Sequence, residues 1–393
     1  MKIYEIGTGY TPIPATMGAA TEIVVEGLTR SLITKGIDAK IVDIASDDRT
    51  STDLPIIEVP VPKKFRSTDV QLGLMHKLKR VVYSIALARK LKKIVLTSKK
   101  KVVLHFHNQY NLFFFAKLTP QCIRSKCYII YTNHSYVWHG EWSEIEKTVH
   151  KRYFQEIICM KYADKVFVLN EIALKNIEQH IGIPSIKLCL IDNGVNTEVY
   201  HPVQDPEKIK KEAWINGEKI FIEVGSVCDR KNQLGALKLL TPLMKKDPTI
   251  VFAYAGGIIS PEYQNSITEY ANKNGLERQV IYAGELQPGE SLNEFYNLAE
   301  AMVFPSKAEG FSLVILEAMS AGVPVIINED LEFKLSDQCL KFKDQDSFEK
   351  VIEEKIFDRE NHEALKKQVR ESIIQNYSWD VIAKEYLKEI REN

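Results

Sequence analysis

The sequence predicts an α/β protein made of two doubly wound domains in one chain. Short apolar strands alternate with amphipathic helices, which is typical of parallel sheets with crossover helices. The alternation breaks once, at residues 193–206, where turn-forming residues replace apolar ones, and then it starts again. The chain has 393 residues, of which 45% are hydrophobic, so each half is long enough to bury a core of its own.

The first half begins with a strand and a loop rich in Gly, Pro and Thr at residues 7–17. A helix over Ala19–Lys35 follows, because Gly36 supplies a C-terminal stop. The strands predicted in this half are Met1–Ile6, Ile37–Ile44, Lys101–His107, Tyr128–Asn133, Lys165–Leu169 and Lys187–Ile191. Together they predict a first domain over residues 1–196.

The second half repeats the pattern over residues 197–376, which we expect to form the second domain. A helix is predicted at Asn232–Lys245. The strands predicted here are Lys219–Val224, Ile250–Tyr254, Val280–Ala283 and Ala301–Pro305. A last amphipathic helix, Tyr377–Arg391, is expected to bring residues 377–393 back onto the first domain.

Bulk properties indicate a cytoplasmic protein with reduced thiols. The N-terminus reaches Gly and Pro before any signal-like apolar core, and no apolar run approaches the roughly 18 residues of a membrane span. The six cysteines form no CxxC pair. His105 and His107 lie two apart on one predicted strand and so share a face; we favour a polar strand end lining a cleft over a metal site there.

The net charge of zero conceals an uneven distribution. The chain carries an excess of nine basic residues up to Tyr200 and an equal acidic excess after it. Between Lys63 and Lys101 there are 13 basic residues and one acid, Asp69. A solvated helix face is one explanation. An anionic membrane surface is the other, and it is preferred to nucleic acid because no nucleic-acid-binding motif accompanies the charges.

The most informative stretch is KAEGFSLVILEAMSAGVPVII, residues 307–327. A strand ends before it, a helix is expected to begin near Phe311, and Gly322 ends that helix. Anionic ligands bind where a strand leads into a helix N-terminus, because unpaired backbone N–H groups and the helix dipole meet them there. Glu317 lies in an otherwise apolar helix, where its carboxylate needs donors such as ribose hydroxyls. Solvent or a basic side chain is the alternative partner.

This stretch resembles the signature of the retaining family 4 glycosyltransferases, which have the GT-B fold. Two glutamates, Glu309 and Glu317, stand in an EGFSL…EAM…G-x-PV pattern. The resemblance implies two Rossmann-like domains facing across a cleft, with the donor on the second and the acceptor on the first. Donor-binding residues implied within the motif are Gly310, Phe311, Ser312, Leu313 and Glu317, while Glu309 is implied to be catalytic by holding the sugar hydroxyls.

Other segments resemble this family in the same order along the chain. Gly18 and Ala19 match its glycine-rich donor loop, with alanine in place of a second glycine. His134, at the end of a strand, matches the residue that faces the transferred sugar and is implied to be catalytic.

The segment that holds the diphosphate in this family is matched by GSVCDRKN, residues 225–232, including Gly225 and Lys231. The usual arginine after the glycine is Ser226, and Arg230 is the candidate replacement.

The resemblance implies hexosyl transfer from a UDP- or GDP-linked sugar to a glycan or lipid-linked acceptor, with retention and without a cofactor. Such a role fits polysaccharide or glycoconjugate synthesis at the inner face of a membrane. The hypothesis is metal-independent transfer, with Lys231, Arg230 and a helix N-terminus as the positive groups. Asp344-Gln345-Asp346 fits the metal-binding Asp-x-Asp pattern, but Asp346 is interpreted as opening a capping box.

Two alternatives remain open from the sequence. A nucleotide-sugar 2-epimerase would share the fold and need no acceptor, and a silent partner subunit would bind a transferase without catalysis. A dinucleotide-dependent dehydrogenase is disfavoured because no GxGxxG follows the first strand. The sugar, the base, the acceptor, the linkage and the oligomeric state are not determined.

Overall fold

The computed structural model describes residues 1–16, 19–66, 74–204 and 218–391. The chain divides into two compact units. The first comprises Met1–Gly194 together with Trp379–Asn393, and the second comprises Val195–Ser378. The predicted doubly wound α/β class is confirmed in both units.

The first unit is built on a seven-stranded parallel sheet in the order β3-β2-β1-β4-β5-β6-β7. The strands are β1 Lys2–Ile6, β2 Asp38–Ile44, β3 Ile56–Val59, β4 Val102–Phe106, β5 Cys127–Asn133, β6 Lys165–Val168 and β7 Leu188–Leu190. Residues of the central strands are almost all buried, because helices cover both faces of a parallel sheet.

Eight α-helices of the described residues belong to the first unit. They are α1 Ala20–Thr34, α2 Leu74–Thr97, α3 Gln109–Leu118, α4 Gln121–Arg124, α5 Trp142–Arg152, α6 Phe154–Tyr162, α7 Glu171–Asn176 and the C-terminal helix Trp379–Arg391. The C-terminal helix packs against α1, where Ser31 Oγ donates to the Trp379 carbonyl at 3.0 Å. The indole of Trp379 also fills the space beside Gly27, where a Cβ would lie 2.1 Å from its Nε1.

The second unit is built on a six-stranded parallel sheet in the order β10-β9-β8-β11-β12-β13. Its strands are β8 Lys219–Val224, β9 Ile250–Ala255, β10 Val280–Tyr282, β11 Ala301–Phe304, β12 Val325–Asn328 and β13 Leu340–Phe342. Its helices are α8 Gln233–Lys246, α9 Pro261–Asn274, α10 Glu290–Asn297, α11 Leu313–Ser320, α12 Gln345–Val351 and α13 Arg359–Tyr377, so the C-terminal helix is α14.

The two sheets have the same strand order when each is counted from its own first strand. In both, the chain moves outward from the first strand, then returns to place the fourth strand on its other side. The order therefore reverses between β1 and β4 in the first unit and between β8 and β11 in the second. Ligands of open α/β sheets bind outside the carboxyl ends of strands at such a switch point. Each unit accordingly contains one candidate position.

Several elements differ from the predicted ones. The edge strands β3 and β13 and the long helix α2 were not predicted, since short edge strands and a highly basic helix carry weak apolar periodicity. Helix α11 begins at Leu313 rather than near Phe311. Among the described residues, no helix is both long and apolar enough to cross a membrane.

Candidate functional site

At the switch point of the first unit, a fully buried glutamate contacts two histidines. Glu5, in β1, lies beside the end of β4 because Glu5 and His105 are register partners in the sheet. Glu5 Oε2 accepts a hydrogen bond from His107 Nε2 at 2.9 Å, and His105 Nδ1 lies 2.8 Å from the same oxygen. Tyr386 of α14 donates to Oε1 at 3.3 Å. The two histidines thus lie on one face, as predicted, and both contact the Glu5 carboxylate there.

This environment sets the charge of the cluster. Burial by itself would raise the pKa of Glu5, but the two histidines lower it to about 2, so the carboxylate is ionised. Burial, with a contribution from His105, lowers the pKa of His107 to about 4. His107 is therefore a neutral imidazole at neutral pH, although it contacts a carboxylate.

His134 follows β5 and lies next to His107. Its Nε2 is 3.1 Å from His107 Nδ1, and the two rings are stacked with centroids 5.4 Å apart. Burial, followed by the neighbouring His107 and His105, holds the pKa of His134 well below its usual range. The predicted catalytic histidine is therefore joined to the buried cluster and is neutral at neutral pH.

The turn that carries His134 is anchored on both sides by one buried carboxylate. Glu156, in α6, accepts from Asn133 Nδ2 at 3.1 Å, from Ser135 Oγ and from Trp138 Nε1 at 2.6 Å. Asn133 and Ser135 flank His134 in the chain, so Glu156 holds the side chains on either side of the histidine. Burial raises the pKa of Glu156, which its three donors oppose.

The predicted donor loop is described only in part. Gly18 lies outside the described residues. Ala19 is buried and precedes α1 directly. In the first turn of α1, the buried Glu22 accepts a hydrogen bond from Thr8 Oγ1 in the loop after β1. Burial raises the pKa of Glu22 to about 7, which the Thr8 hydroxyl opposes.

The switch point of the second unit brings the predicted cations and carboxylate together. Lys231 Nζ lies 2.8 Å and Arg230 Nη1 2.9 Å from Glu309 Oε1, and Ser306 Oγ donates to the same oxygen at 2.7 Å. Arg230 also donates to the Ala308 carbonyl at 2.8 Å. The segment after β8 and the segment after β11 are thus tied to each other through Glu309.

Gly225 is needed where the predicted lysine passes the end of β8. Its φ is +155°, and a Cβ there would lie 3.1 Å from Lys231 Cε. Lys231 is nearly buried and stands over the Phe304 ring, with Nζ 4.7 Å from the ring centroid. A side chain at residue 225 would push the lysine stem, so the glycine permits the approach of Lys231 to Glu309.

The N-cap residue of α11, Ser312, has a strained backbone conformation. Ser312 has φ +56° and Asn232, before α8, has φ +66°; among the described residues these are the two non-glycine positions with positive φ. The Ser312 hydroxyl is buried, and the described residues offer it no hydrogen-bond partner. Strain and an unpaired polar atom are features of binding sites. Phe311, before it, is buried, Gly310 is partly buried, and Leu313 opens the helix.

Glu317, in the middle of α11, is buried and bonded to two tyrosines rather than to solvent or a basic side chain. Tyr296 Oη donates to Glu317 Oε2 at 2.9 Å, and Tyr200 supplies a second hydroxyl. Burial raises the pKa of Glu317 to about 7, and the two hydroxyls oppose that rise. Any ligand hydroxyl that binds this carboxylate joins or replaces a tyrosine.

A second buried glutamate, Glu223 in β8, was missed by the sequence reasoning. Its carboxyl oxygens have no hydrogen-bond partner among the described residues. Burial raises the pKa of Glu223 well above its usual range, with Lys231 opposing and Glu309 adding to the shift. Burial therefore favours the protonated form of Glu223, and the charge of Lys231 opposes it. Its signal was visible: Glu5-Ile6-Gly7 and Glu223-Val224-Gly225 put a glutamate at the same place in the first strand of each unit.

The Asp-x-Asp pattern is a helix cap, but the capping residue differs from the predicted one. Asp344, not Asp346, is the N-cap of α12: its Oδ1 accepts from Ser347 N at 2.9 Å, and Ser347 Oγ accepts from Asp344 N at 2.9 Å. The helix begins two residues earlier than expected because Gln345 and Asp346 form its first turn.

Helix α2 forms most of the basic segment between Lys63 and Lys101. Residues 67–73 of that segment lie outside the described residues. Three apolar side chains near the start of α2 are exposed: Leu74 (88%), Met75 (58%) and Leu78 (46%). Lys77 is exposed beside them. The helix therefore presents apolar and cationic groups on one end.

Two family models match the chain in succession. The model described as Glycosyltransferase Family 4 matches residues 21–199, and the model described as Glycosyl transferases group 1 matches residues 204–372. This chain belongs to glycosyltransferase family 4. The family 4 enzyme has the GT-B fold, as the resemblance implied, with one doubly wound unit for each model.

Relatives of this glycosyltransferase share modest identity. An uncharacterised glycosyltransferase of Methanocaldococcus jannaschii is 23% identical over 294 residues, 72% of this chain and 73% of that protein. The alpha-galactosylglucosyldiacylglycerol synthase of Streptococcus pneumoniae is 31% identical over 157 residues, 38% of this chain and 39% of that protein. The second match covers much less than the whole of either protein.

Solved structures agree in fold over the full chain. Sucrose-phosphate synthase from Thermosynechococcus elongatus superimposes with a TM-score of 0.75 at 20% identity, covering 100% of this chain and 98% of that one. The catalytic domain of starch synthase IV from Arabidopsis thaliana, bound to ADP and acarbose, gives 0.77 at 17% identity with 100% and 99% coverage.

Proposed function

We propose that this glycosyltransferase moves a hexose from a nucleotide-diphosphate sugar to an acceptor hydroxyl with retention of configuration and without a divalent cation. The observation that carries the proposal is the group formed by Lys231, Arg230 and Glu309 beside the N-terminus of α11. Two cations share one carboxylate oxygen there, and a diphosphate would compete for both. Starch synthase IV, with the same fold, binds ADP.

Three features of the second unit support a diphosphate as the ligand. Lys231 is held nearly buried, where its charge is strong because little water screens it. The Ser312 hydroxyl, at the start of α11, has no hydrogen-bond partner in the described part of the chain. The first backbone N–H groups of α11 add a positive dipole. Together these groups would stabilise the negative charge that grows on the leaving phosphate.

Glu309 and Glu317 would bind different parts of the donor. Glu309 would bind the donor sugar's hydroxyls once the diphosphate has drawn Lys231 and Arg230 away from it. Glu317 would accept from the ribose, with Tyr296 moving to make room. His134, in the first unit, would face the transferred sugar and stabilise its developing positive charge. With a phosphate oxygen accepting the acceptor's proton, no enzymic base is needed on that face.

The test is ligand binding followed by turnover. UDP- and GDP-sugars are screened for thermal stabilisation, and a ligand at 100 times its Kd adds about 2.7 kcal/mol to the free energy of unfolding. Lys231→Met should lower kcat/KM by about 100-fold because a preorganised charge is lost. Lys307→Met is the matched control, since Lys307 pairs with Asp229 at 2.7 Å instead of Glu309.

Three results would contradict the proposal. If a nucleotide sugar stabilises Lys231→Met as much as it stabilises the parent protein, Lys231 does not bind the diphosphate. If sugar transfer is lost on chelation and restored by manganese, the mechanism depends on a metal. Conversion of the donor to its epimer without an acceptor would identify an epimerase instead.

The protein would reach its acceptor at a membrane surface. Leu74, Met75 and Leu78 would insert at the headgroup boundary of an anionic membrane while Lys77 contacts the lipid charge. A lipid-linked acceptor would then be reached at the inner face of a cytoplasmic membrane. Flotation with phosphatidylserine vesicles should show binding that weakens with salt. Leu74→Ser with Leu78→Ser should abolish it, whereas Leu96→Ser, at the other end of α2 and 56% exposed, should not.

A further inference from the structure

A chain of hydrogen bonds connects Glu5 to His134 through His107. The first contact joins Glu5 Oε2 and His107 Nε2 at 2.9 Å, and the second joins His107 Nδ1 and His134 Nε2 at 3.1 Å. Each nitrogen of His107 therefore has one partner, so the place of its proton decides the direction of both bonds.

Only one arrangement of protons suits these groups. An ionised carboxylate accepts and cannot donate, so His107 must carry its proton on Nε2. Since burial lowers the pKa of His107 to about 4, the ring is neutral and its Nδ1 has no proton. His107 Nδ1 can then only accept, and the proton between the rings belongs to His134 Nε2. Because the pKa of His134 is also well below its usual range, His134 Nδ1 is bare.

We propose that Glu5 and His107 are positioning residues that hold His134 as the Nε2–H tautomer, so that its Nδ1 accepts a hydrogen bond from a hydroxyl of the transferred sugar or the acceptor. The ligand in this statement rests on the proposed function, whereas the tautomer does not. The ring cannot turn over without losing its bond to His107. Its acceptor atom is therefore fixed before substrate binds, which lowers the cost of ordering it.

The same side chains also have the composition of a cation site, and a cation bound there would favour the other tautomer of His134. Glu5, His105 and His107 each offer a ligand atom, and these atoms lie within 4.8 Å of one another. A divalent cation there would bind His107 through a bare Nε2. The proton of His107 would move to Nδ1 and would be donated to His134 Nε2. His134 would then carry its own proton on Nδ1.

His105 provides a matched control for His107. Both are buried and both contact Glu5 Oε2. The other nitrogen of His105, however, bonds to Thr132 Oγ1 at 2.7 Å and not to His134. Leucine at either position removes one partner of Glu5 and leaves one further group unpaired. The two variants should therefore lose similar stability and differ only in what happens to His134.

The tautomer is measured by long-range ¹H–¹⁵N correlation on the whole protein labelled in histidine, with His134 assigned from the spectrum of His134→Gln. We expect protonated Nε2 and bare Nδ1 in the parent protein, and a mixture of both tautomers in His107→Leu. His105→Leu should keep the parent pattern. With a nucleotide sugar that the parent protein turns over, His107→Leu should lower kcat by about 100-fold, as for a misplaced group, and should change the donor KM by no more than about twofold. His105→Leu should keep kcat within about threefold of the parent value.

Each result has one meaning. A protonated Nδ1 on His134 overturns the proposal, and one equivalent of tightly bound zinc in the same sample assigns the site to a cation. Equal losses of kcat in His105→Leu and His107→Leu would show a packing effect and would also overturn it. If the protein transfers no sugar, the proposed function fails, while the tautomer of His134 and its dependence on His107 still decide the inference.

Discussion

Glu5 and Glu223 occupy equivalent positions in the two units, but their pKa values are shifted in opposite directions. Each is the second-last residue of its unit's first strand, each precedes an apolar residue and a glycine, and each is fully buried. Glu5 contacts two histidines and Tyr386, and its pKa falls to about 2. The Glu223 carboxyl has no hydrogen-bond partner among the described residues, and its pKa lies well above the usual range. The neighbouring groups, and not the position in the strand, decide the direction of the pKa shift.

Two further buried glutamates lie between these extremes. Glu22 contacts the Thr8 hydroxyl, and Glu317 contacts the hydroxyls of Tyr296 and Tyr200. Both have a pKa of about 7. Imidazole donors thus favour the ionised form most, and hydroxyls favour it less. For Glu223, which has no hydrogen-bond partner among the described residues, burial raises the pKa.

The largest expected effect comes from replacing the two equivalent glutamates in the same way. Glu5→Leu leaves the buried donors of His107 and Tyr386 without their acceptor. Since each unpaired buried donor costs about 1–3 kcal/mol, the free energy of unfolding should fall by about 3–5 kcal/mol at pH 7. Glu223→Leu removes a buried carboxyl that has no hydrogen-bond partner among the described residues, and it should change the free energy of unfolding by no more than about 1 kcal/mol. Urea unfolding followed by circular dichroism measures both. Equal losses would break the comparison.

Acid should remove the contribution of Glu5. Because its folded pKa of about 2 is below the ordinary 4.5, the ionised form stabilises the fold above pH 4.5 and the contribution disappears as pH falls towards 2. The shift corresponds to about 3 kcal/mol. The difference in stability between the parent and Glu5→Gln should therefore shrink over this range. A difference that stays constant with pH would show that Glu5 is not ionised in the folded protein.

The glutamates with a pKa of about 7 should behave in the opposite sense. The folded state keeps the proton of Glu317 between pH 4.5 and 7 while the unfolded state loses it, so stability falls as pH rises through that window. Glu317→Gln should thus gain about 3 kcal/mol over the parent at pH 8 and nothing at pH 4.5. Melting temperatures across this range provide the measurement, and Glu22→Gln is the counterpart in the first unit.

The smallest effect should come from one hydroxyl. Tyr296→Phe removes a donor that favours the ionised form of Glu317, so the pKa of Glu317 should rise by about one unit, equivalent to about 1.4 kcal/mol. Tracking the carboxyl carbon of Glu317 by NMR during titration checks this directly. A lower pKa in the variant would mean that the two tyrosine hydroxyls do not act as donors to this carboxylate.

The residues around Lys231 and Glu309 could be predicted because they lie in short continuous segments. A strand end, a glycine and a helix start all depend on neighbouring residues, so the local structure of the motif at residues 307–327 could be predicted from the sequence. Asp344 shows the limit of such reasoning, since either aspartate of Asp344-Gln345-Asp346 satisfies the local capping pattern. The first turn of the helix decided between them.

The sequence by itself determined the α/β class, the two doubly wound halves, the family and the segments after β8 and β11, because periodicity and motifs depend on neighbouring residues. Only the tertiary structure decided that Glu5, His107 and His134 touch, since parallel pairing joins β1, β4 and β5 across more than a hundred residues. It also decided the pKa shifts of Glu5, Glu22, Glu223 and Glu317. A carboxyl group's charge depends on burial and donors, and both are properties of the folded chain.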